Sequence, residues 1–435
     1  VRRVNSAGHA HCASDAGQAP GPPTPDPRVL DVLRTPESVR AVRPVFQPIV
    51  HLATGTVVGA EALARWPEVP GVDPSAVINH ARDQGRVAEV DRACRNAALQ
   101  TIAAHGHLED GMTVFINVEP DALVDSLKSG TIFDTPAPGS RIVLELTERA
   151  LLDNPAELLN VVLDARARGV GIALDDVGRH PDSLTLLSLI APDVVKLDGS
   201  LIASAPTREQ LHAVTTVRAY AEATGTVILA EGIETDAHLR RAVDLGATLG
   251  QGWHLGRPAP LPPHTWPPIP PDEQVPINSA PAAVPDQPSQ LITRRQVATK
   301  QVLVRYSRYL EHHAATLAEP VTILASFQHA THFTDRDAQR YAALAAANPL
   351  VAVIATDLPP DPAAGVRGTT IADDHPLADE WTLVILGRHF FAALIARDLH
   401  TDTPRTDHDR RFTYTLTYNR DTVTAAGRAL LRHMH

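Results

Sequence analysis

Lysine is nearly missing from this chain of 435 residues: among 39 basic residues only Lys128, Lys196 and Lys300 are lysines. The bias suggests a GC-rich coding sequence in which arginine is the default cation, so a lysine retained among acids calls for a chemical reason. Positive charge is short as well. The 39 basic residues face 50 acidic ones, a formal charge of −11, which argues against gripping a DNA or RNA polymer by phosphate neutralisation. An anionic ligand must then be drawn in locally, by a metal or a few placed cations. Two cysteines, Cys12 and Cys94, make no disulfide framework, so a reducing, cytoplasmic setting is expected. Residues 1–27 carry no apolar signal core, and no stretch approaches the ~20 apolar residues of a membrane span. No membrane attachment is expected. His9, His11 and Cys12 lack a fourth ligand at finger-like spacing and read as tail residues.

What is present falls into two regions. Prolines crowd the chain from Pro258 to Pro288, a composition that reads as a semi-rigid linker over residues 261–291. It separates a larger region, 28–260, from a smaller one, 292–427, with a disordered tail over 1–27 and a C-terminal tail over 428–435. In the larger region eight apolar, β-branched runs predict strands: Val45 to Val50, Val57 to Leu63, Thr113 to Val118, Arg141 to Leu146, Gly171 to Asp175, Asp193 to Leu197, Thr226 to Ala230 and Thr248 to Trp253. Helical periods lie between most of them, which suggests an α/β fold with a (β/α)8 barrel. A doubly wound sheet gives a similar alternation, and the period alone does not separate the two.

Polar residues recur at the downstream ends of these runs: Glu61, Asn117, Glu145, Asp175 with Asp176, Lys196, Glu231 and Gln251. In a barrel those ends converge on one mouth. Five are carboxylates, which cannot crowd together ionised without cations between them. Oxygen ligation without His or Cys favours Mg²⁺ or Mn²⁺ over zinc. Asp175 and Asp176 would face opposite sides of a strand unless the backbone turns there, which Gly178 permits; both could then serve a pair of metals. Each acid alone could equally cap the following helix. Lys196 reads either as a buried ion-pair partner or as a point charge that orients water or steadies phosphate.

Taken in order, Gln47-Pro48-Ile49-Val50, Glu61-Ala62-Leu63-Ala64-Arg65-Trp66, Phe115-Ile116-Asn117, Glu145-Leu146-Thr147-Glu148, Asp175-Asp176-Val177-Gly178, Lys196-Leu197-Asp198, Glu231-Gly232-Ile233-Glu234 and Gly250-Gln251-Gly252 resemble the EAL-domain cyclic di-GMP phosphodiesterases. The resemblance implies a TIM-like barrel that hydrolyses cyclic di-GMP to 5′-pGpG with two divalent cations, Mg²⁺ or Mn²⁺. It implies metal ligands at Glu61, Asn117, Glu145, Asp175 and Asp176. Water-positioning or deprotonating groups fall at Lys196 and Glu231, with Gln251 in support, and Glu148 braces the loop after the paired aspartates. Substrate contacts fall at Leu63, Arg65 and Gln47. The chain departs from the family at Val177-Gly178-Arg179-His180-Pro181-Asp182-Ser183-Leu184, where active members carry Phe and a Gly-Tyr-Ser-Ser-like continuation. Pro181 stiffens that loop and Asp182 adds a negative charge. Metal loading, regulation or a homodimer contact could differ accordingly, and a receptor that binds cyclic di-GMP without cleaving it is the alternative reading.

The smaller region also alternates helix and strand and is expected to be α/β. Through Ser307 with Glu311, Phe327-Gln328, Arg340-Tyr341, Glu380-Trp381 and Ala396-Arg397-Asp398-Leu399 it resembles the DICT sensory domain. That resemblance implies a regulatory partner of the barrel responding to a signal of unknown chemistry. Its aromatic and polar residues could line a pocket or simply pack a core.

Overall fold

The computed structural model describes residues 26–105, 111–119, 122–123, 141–147, 152, 154–178, 181–261, 267–277, 284–293, 296–400 and 407–434, with backbone only at 181–183. Helices α1 (Pro27–Leu33) and α2 (Pro36–Arg40) lead into β1 (Arg43–His51) and β2 (Val57–Arg65). There follow α3 (Pro74–Asp83), α4 (Val87–His105), β3 (Thr113–Asn117), β4 (Arg141–Thr147), α5 (Pro155–Ala167), β5 (Gly171–Val177), α6 (Leu187–Ile190) and β6 (Val194–Leu197). Then come α7 (Ser200–Ala203), α8 (Arg208–Thr224), β7 (Val227–Ala230), α9 (Asp236–Asp244) and β8 (Leu249–Gly250). Local chemistry sets the limits of these elements. In α8, Thr207 and Gln210 form a reciprocal capping box and Gly225 closes the far end at φ 78°, the left-handed conformation glycine adopts without steric cost.

Strands β1 to β8 close into a barrel in sequence order, so the TIM-like architecture holds and the doubly wound sheet is excluded. One strand departs from the expected pattern. β1 is antiparallel to both neighbours, β2 and β8, because the few residues between β1 and β2 allow a hairpin but no crossover helix. β8 is also shorter than the sequence suggests. After Gly250 the chain turns to meet the loop behind β7, where Ile233 N–H donates to Gln251 O at 3.0 Å. A Cβ at Gly252 would lie 2.1 Å from the Ile233 carbonyl oxygen, so only glycine permits that approach.

The described part of the proline-rich segment is packed, which corrects its reading as a bare linker. Ile269 and Val275 are buried in the barrel's apolar core, and Arg141 at the start of β4 donates to the Val275 carbonyl. Residues 267–277 thus lie against the N-terminal ends of the strands, opposite the mouth. The signal missed was the apolar pair spaced among prolines, which supplies core contact without any regular element.

The second region comprises β9 (Gln296–Thr299), α10 (Lys300–Thr316), β10 (Thr322–His329), α11 (Asp335–Ala345), β11 (Leu350–Thr356), β12 (Arg367–Ile371), β13 (Glu380–Leu386), β14 (Phe391–Asp398), β15 (Arg411–Thr417) and α12 (Arg420–Leu431). Its strands form one mixed sheet in the order β12-β11-β10-β13-β14-β15-β9. One face packs on α10 and α11 through Leu303, Leu310, Tyr341 and Leu344. The other face contributes Leu324, Ile354, Val384 and Ile395 to the same core as the barrel helices and α12. Residues 428–435, expected as a tail, include the end of α12, with Ala429, Leu430, Leu431 and Met434 buried.

The two regions are therefore in direct contact. Arg428 donates from Nε to Leu189 O at 2.8 Å and from Nη2 to Ser188 O at 3.1 Å, satisfying carbonyls of α6. Thr322 donates to Thr185 Oγ1 at 3.1 Å, and the Arg420 guanidinium lies 5.5 Å from the Tyr220 ring centroid. Among the described residues no helix is long and apolar enough to cross a membrane.

Candidate functional site

The strand ends bring one ammonium among four carboxylates. Lys196 Nζ lies 2.7 Å from Glu145 Oε1, 2.8 Å from Glu231 Oε1, 3.1 Å from Asp175 Oδ1 and 3.6 Å from Glu61 Oε2. Its side chain is 1% exposed. These residues come from β2, β4, β5, β6 and the turn after β7, so only barrel closure could assemble them. Glu61 is further fixed by Asn117 Nδ2 at 2.7 Å and Gln251 Nε2 at 2.7 Å.

Asp175 and Asp176 sit at a break in the β5–β6 register between Leu174 and Val177. Asp176 itself adopts φ 58° and Gly178 φ 111°, so the turn that Gly178 permits begins two residues earlier, within the aspartate pair. Both aspartates consequently line the same cavity, which a regular strand would forbid.

Charge within the cluster is unbalanced. Burial opposes ionisation of Glu61, yet Lys196 and the hydrogen bonds from Gln251 and Asn117 outweigh it and hold this carboxyl below the usual range. For Glu145 burial and the neighbouring Glu61 prevail over Lys196, and the carboxyl is pushed well up. Burial likewise raises Glu231 to about 8, against the pull of Lys196. Burial would depress Lys196, but Glu145, Glu231, Glu61 and Asp175 together raise it well above the ordinary lysine value.

Four acids against one lysine leave a deficit of positive charge, and Glu145 Oε2 and Gln251 Oε1 are buried without hydrogen-bond partners. That donor set, oxygen throughout, fits hard divalent cations. Among the described residues no three His, Cys, Asp or Glu side chains stand ready-grouped as ligands; the Lys196 ammonium occupies the centre they surround.

The cluster borders a cleft of about 790 Å³ whose walls include Glu61, Leu63, Arg65, Asn117, Asp175 and Asp176. This is the size range of small-molecule sites. Glu145, Lys196 and Gln251 are buried, and Glu231 is partly exposed. Gln47, expected at the substrate, is instead buried, donating to Gly256 O at 3.1 Å and accepting from Gln251 at 3.2 Å. Glu148 lies outside the described residues, as do Arg179 and His180.

Sequence reasoning missed the opposite wall. Asn79 and Arg82 of α3, Asp91 and Arg95 of α4, and Glu119 also line the cleft. Arg95 pairs with Asp91 at 2.6 Å in the interior. Asp91 also accepts the Glu119 N–H at 2.9 Å, and Glu119 binds Arg82 at 2.7 Å. Burial raises Asp91 to about 6, against Arg95 and the Glu119 N–H. The available signal was an acid and a base at i, i+4 on an otherwise apolar-periodic helix, a spacing that pairs them on one face.

Residues 33–258 match the family model of the EAL domain, a span that covers more than half of the chain. The chain belongs to the EAL-domain family. Its EAL domain is followed by a match, over residues 283–399, to the DICT domain, described as a sensory domain in diguanylate cyclases and two-component systems. Cyclic di-GMP phosphodiesterase RocR of Pseudomonas aeruginosa is 29% identical over 250 residues, 54% of this chain and 64% of RocR. The EAL-domain chain thus spans less than two-thirds of that relative. An uncharacterised Mycobacterium tuberculosis protein, Rv1357c, is 30% identical over 234 residues, 50% of this chain and 75% of its own length. Among solved structures, the PaMucR phosphodiesterase in complex with c-di-GMP aligns with 26% identity and a TM-score of 0.45, covering 54% of this chain and 98% of that one.

Proposed function

We propose that this EAL domain hydrolyses cyclic di-GMP to 5′-pGpG with the aid of two divalent cations. The observation that carries the reading is the cluster of Glu61, Glu145, Asp175 and Glu231 around Lys196, bordering a cleft that also presents Asp176 and Arg65. Glu61, Asn117, Glu145, Asp175 and Asp176 would hold the cations, Mg²⁺ or Mn²⁺. Such a pair supplies positive charge that neutralises a phosphodiester and acidifies the attacking water.

The chain's own groups do the rest. Lys196 holds the carboxylates in register and carries the fixed positive charge of the site. Glu231, 2.8 Å from Lys196 Nζ, is assigned to accept the water proton, and the positive charge of bound cations would favour its ionised form. Arg65 contacts the phosphate and Leu63 the guanine side. Gln251, held between Glu61 and Gln47, keeps the Glu61 carboxylate oriented, and Gln47 acts through it. Glu148 is assigned to brace the loop after Asp176. In this reading residues 28–260, completed by the packed segment 267–277, form the catalytic unit and 292–427 a sensor that modulates it.

Purified full-length protein with Mg²⁺ or Mn²⁺ should convert cyclic di-GMP to pGpG on chromatography, and Glu61→Ala should lower the rate at least a thousandfold. Metal-replete protein without turnover would overturn the proposal. The receptor reading has one specific observation behind it, the Arg179-His180-Pro181-Asp182 sequence after the aspartate pair. Nucleotide recovered intact, with tight calorimetric binding that survives EDTA, would select that reading.

A further inference from the structure

A second cleft, of about 110 Å³, lies in the C-terminal domain between α10, α11 and the end of β10. Its volume compares with the ~150 Å³ cavity that takes up benzene, so it suits one ring and excludes a nucleotide. Two aromatic side chains, Phe327 and Trp381, stand side by side as cross-strand partners on β10 and β13 and form its sheet wall. Phe327 is fixed edge-on by Phe333 and Tyr341, with centroids at 5.1 and 5.5 Å, and Trp381 by Phe412 at 6.0 Å.

The backbone deforms to place a polar group there. The β10–β11 register breaks between Ser326 and His329, and Gln328 adopts φ 62°. Non-glycine residues take that conformation at a cost, and functional sites collect such cases. Gln328 is 4% exposed. Its Oε1 accepts from Arg410 at 3.2 Å, and since arginine has only donors this fixes which end of the amide is which. Nε2 is left as a donor that makes no hydrogen bond among the described residues.

Charge identifies the ligand class. Glu311, in the floor, accepts from Ser307 at 3.1 Å, Tyr341 at 3.2 Å and Arg340 at 2.5 Å. Arg340 also binds Asp337, and Lys300 is tied to Asp407 at 2.5 Å. These cations are already matched. Arg308, exposed at the rim, has no acidic partner among the described residues. His332 donates Nδ1–H to the Phe327 carbonyl at 3.0 Å, and burial holds its pKa below the usual value, so it adds no charge. The net demand is for one negative charge beside a flat apolar body.

We propose that this cleft binds a small single-ring organic acid, its ring packed against Phe327 and Trp381 and its anionic group on Gln328 Nε2 and Arg308. The assignment does not depend on the barrel's chemistry, and binding is read without turnover. Full-length protein is titrated with benzoate, benzyl alcohol and benzylamine by calorimetry and tryptophan fluorescence. Benzoate should bind saturably and quench emission, with benzyl alcohol at least tenfold weaker and benzylamine inert. Arg308→Glu, at an exposed position, should weaken benzoate at least tenfold without changing the melting temperature. Gln328→Asn, which tolerates the same backbone, should weaken it severalfold, and Trp381→Phe should keep binding but lose the quenching. Absent saturable benzoate binding, equal affinity for the alcohol, indifference to Arg308→Glu, or quenching that persists in Trp381→Phe would each overturn the proposal.

Discussion

At the scale of single residues, conformation and charge at Asp176 separate cleanly. Its φ of 58° is strained for most side chains by about 1–2 kcal/mol, but asparagine and aspartate visit this region comparatively easily. Asp176→Asn keeps a side chain that accepts this backbone and removes one of the proposed metal ligands, so it should reduce the rise in melting temperature expected on adding Mn²⁺. Asp176→Val should cost an additional ~1–2 kcal/mol of stability. Glu380 offers the corresponding pH experiment. It is fully buried, accepts the Ser289 N–H with both oxygens at 3.3 and 3.2 Å, and burial raises it to about 7 despite those bonds. A folded-state pKa above the unfolded one means that the folded protein binds the extra proton. Stability from this group is complete below about pH 4.5 and is lost as pH rises toward 7. Glu380→Gln removes the loss, so the variant should gain on wild type by up to about 3 kcal/mol at pH 8 and by little at pH 4, read from denaturant midpoints at the two pH values.

At the scale of elements, α12 explains why a glycine persists inside a helix, where it costs about 1 kcal/mol relative to alanine. A Cβ at Gly427 would lie 2.9 Å from Leu386 Cδ1 and 3.0 Å from Leu189 Cδ2, so the helix is wedged between the sheet and α6. Gly427→Ala should be near neutral, helix propensity offsetting contact. Gly427→Leu should cost ~1–3 kcal/mol by overpacking, and amide exchange should show lost protection across α6. Legibility in the sequence follows the same physics. Strands buried on both faces, such as β6 with Val194-Val195, announce themselves as unbroken apolar runs, and the acids at their ends marked the barrel mouth. Half-exposed β12 and β15, rich in Thr and Arg, carry no such run. α12 was hidden because its apolar residues begin at the edge of a presumed tail. The Asn79, Arg82 and Glu119 wall was illegible because its members gain meaning only when α3 and the end of β3 face each other.

At the scale of the whole molecule, the sheet of the second domain separates two sites: the small cleft lies on its α10–α11 face, and the barrel packs on the other. The layer nearest the barrel, α12, holds α6 through Arg428, and the chain reaches α6 only a short segment after Asp176. Packing at the cleft is thus joined through the sheet and α12 to α6. The same contact makes cooperativity testable. Because most buried strand residues of the barrel, residues 269 and 275 and one sheet face belong to a single apolar cluster, with a smaller separate cluster around Trp66 under α1–α4, neither region has a complete core alone. The intact chain should unfold in one calorimetric transition with matching van't Hoff enthalpy. Gly427→Leu should then lower the midpoints reported from Trp66 in the barrel and Trp381 in the sheet by the same amount, measured with the other tryptophans replaced. A chain ending at 260 should fail to give a cooperative melt, since it loses Ile269 and Val275 as well as the sheet, whereas one ending at 277 restores the cover over the strand starts and exposes only the faces of α5, α6 and α8. Two separate transitions in the intact protein, or a cooperative melt from the shorter chain, would show that the domains fold independently and that the contact at α6 transmits nothing.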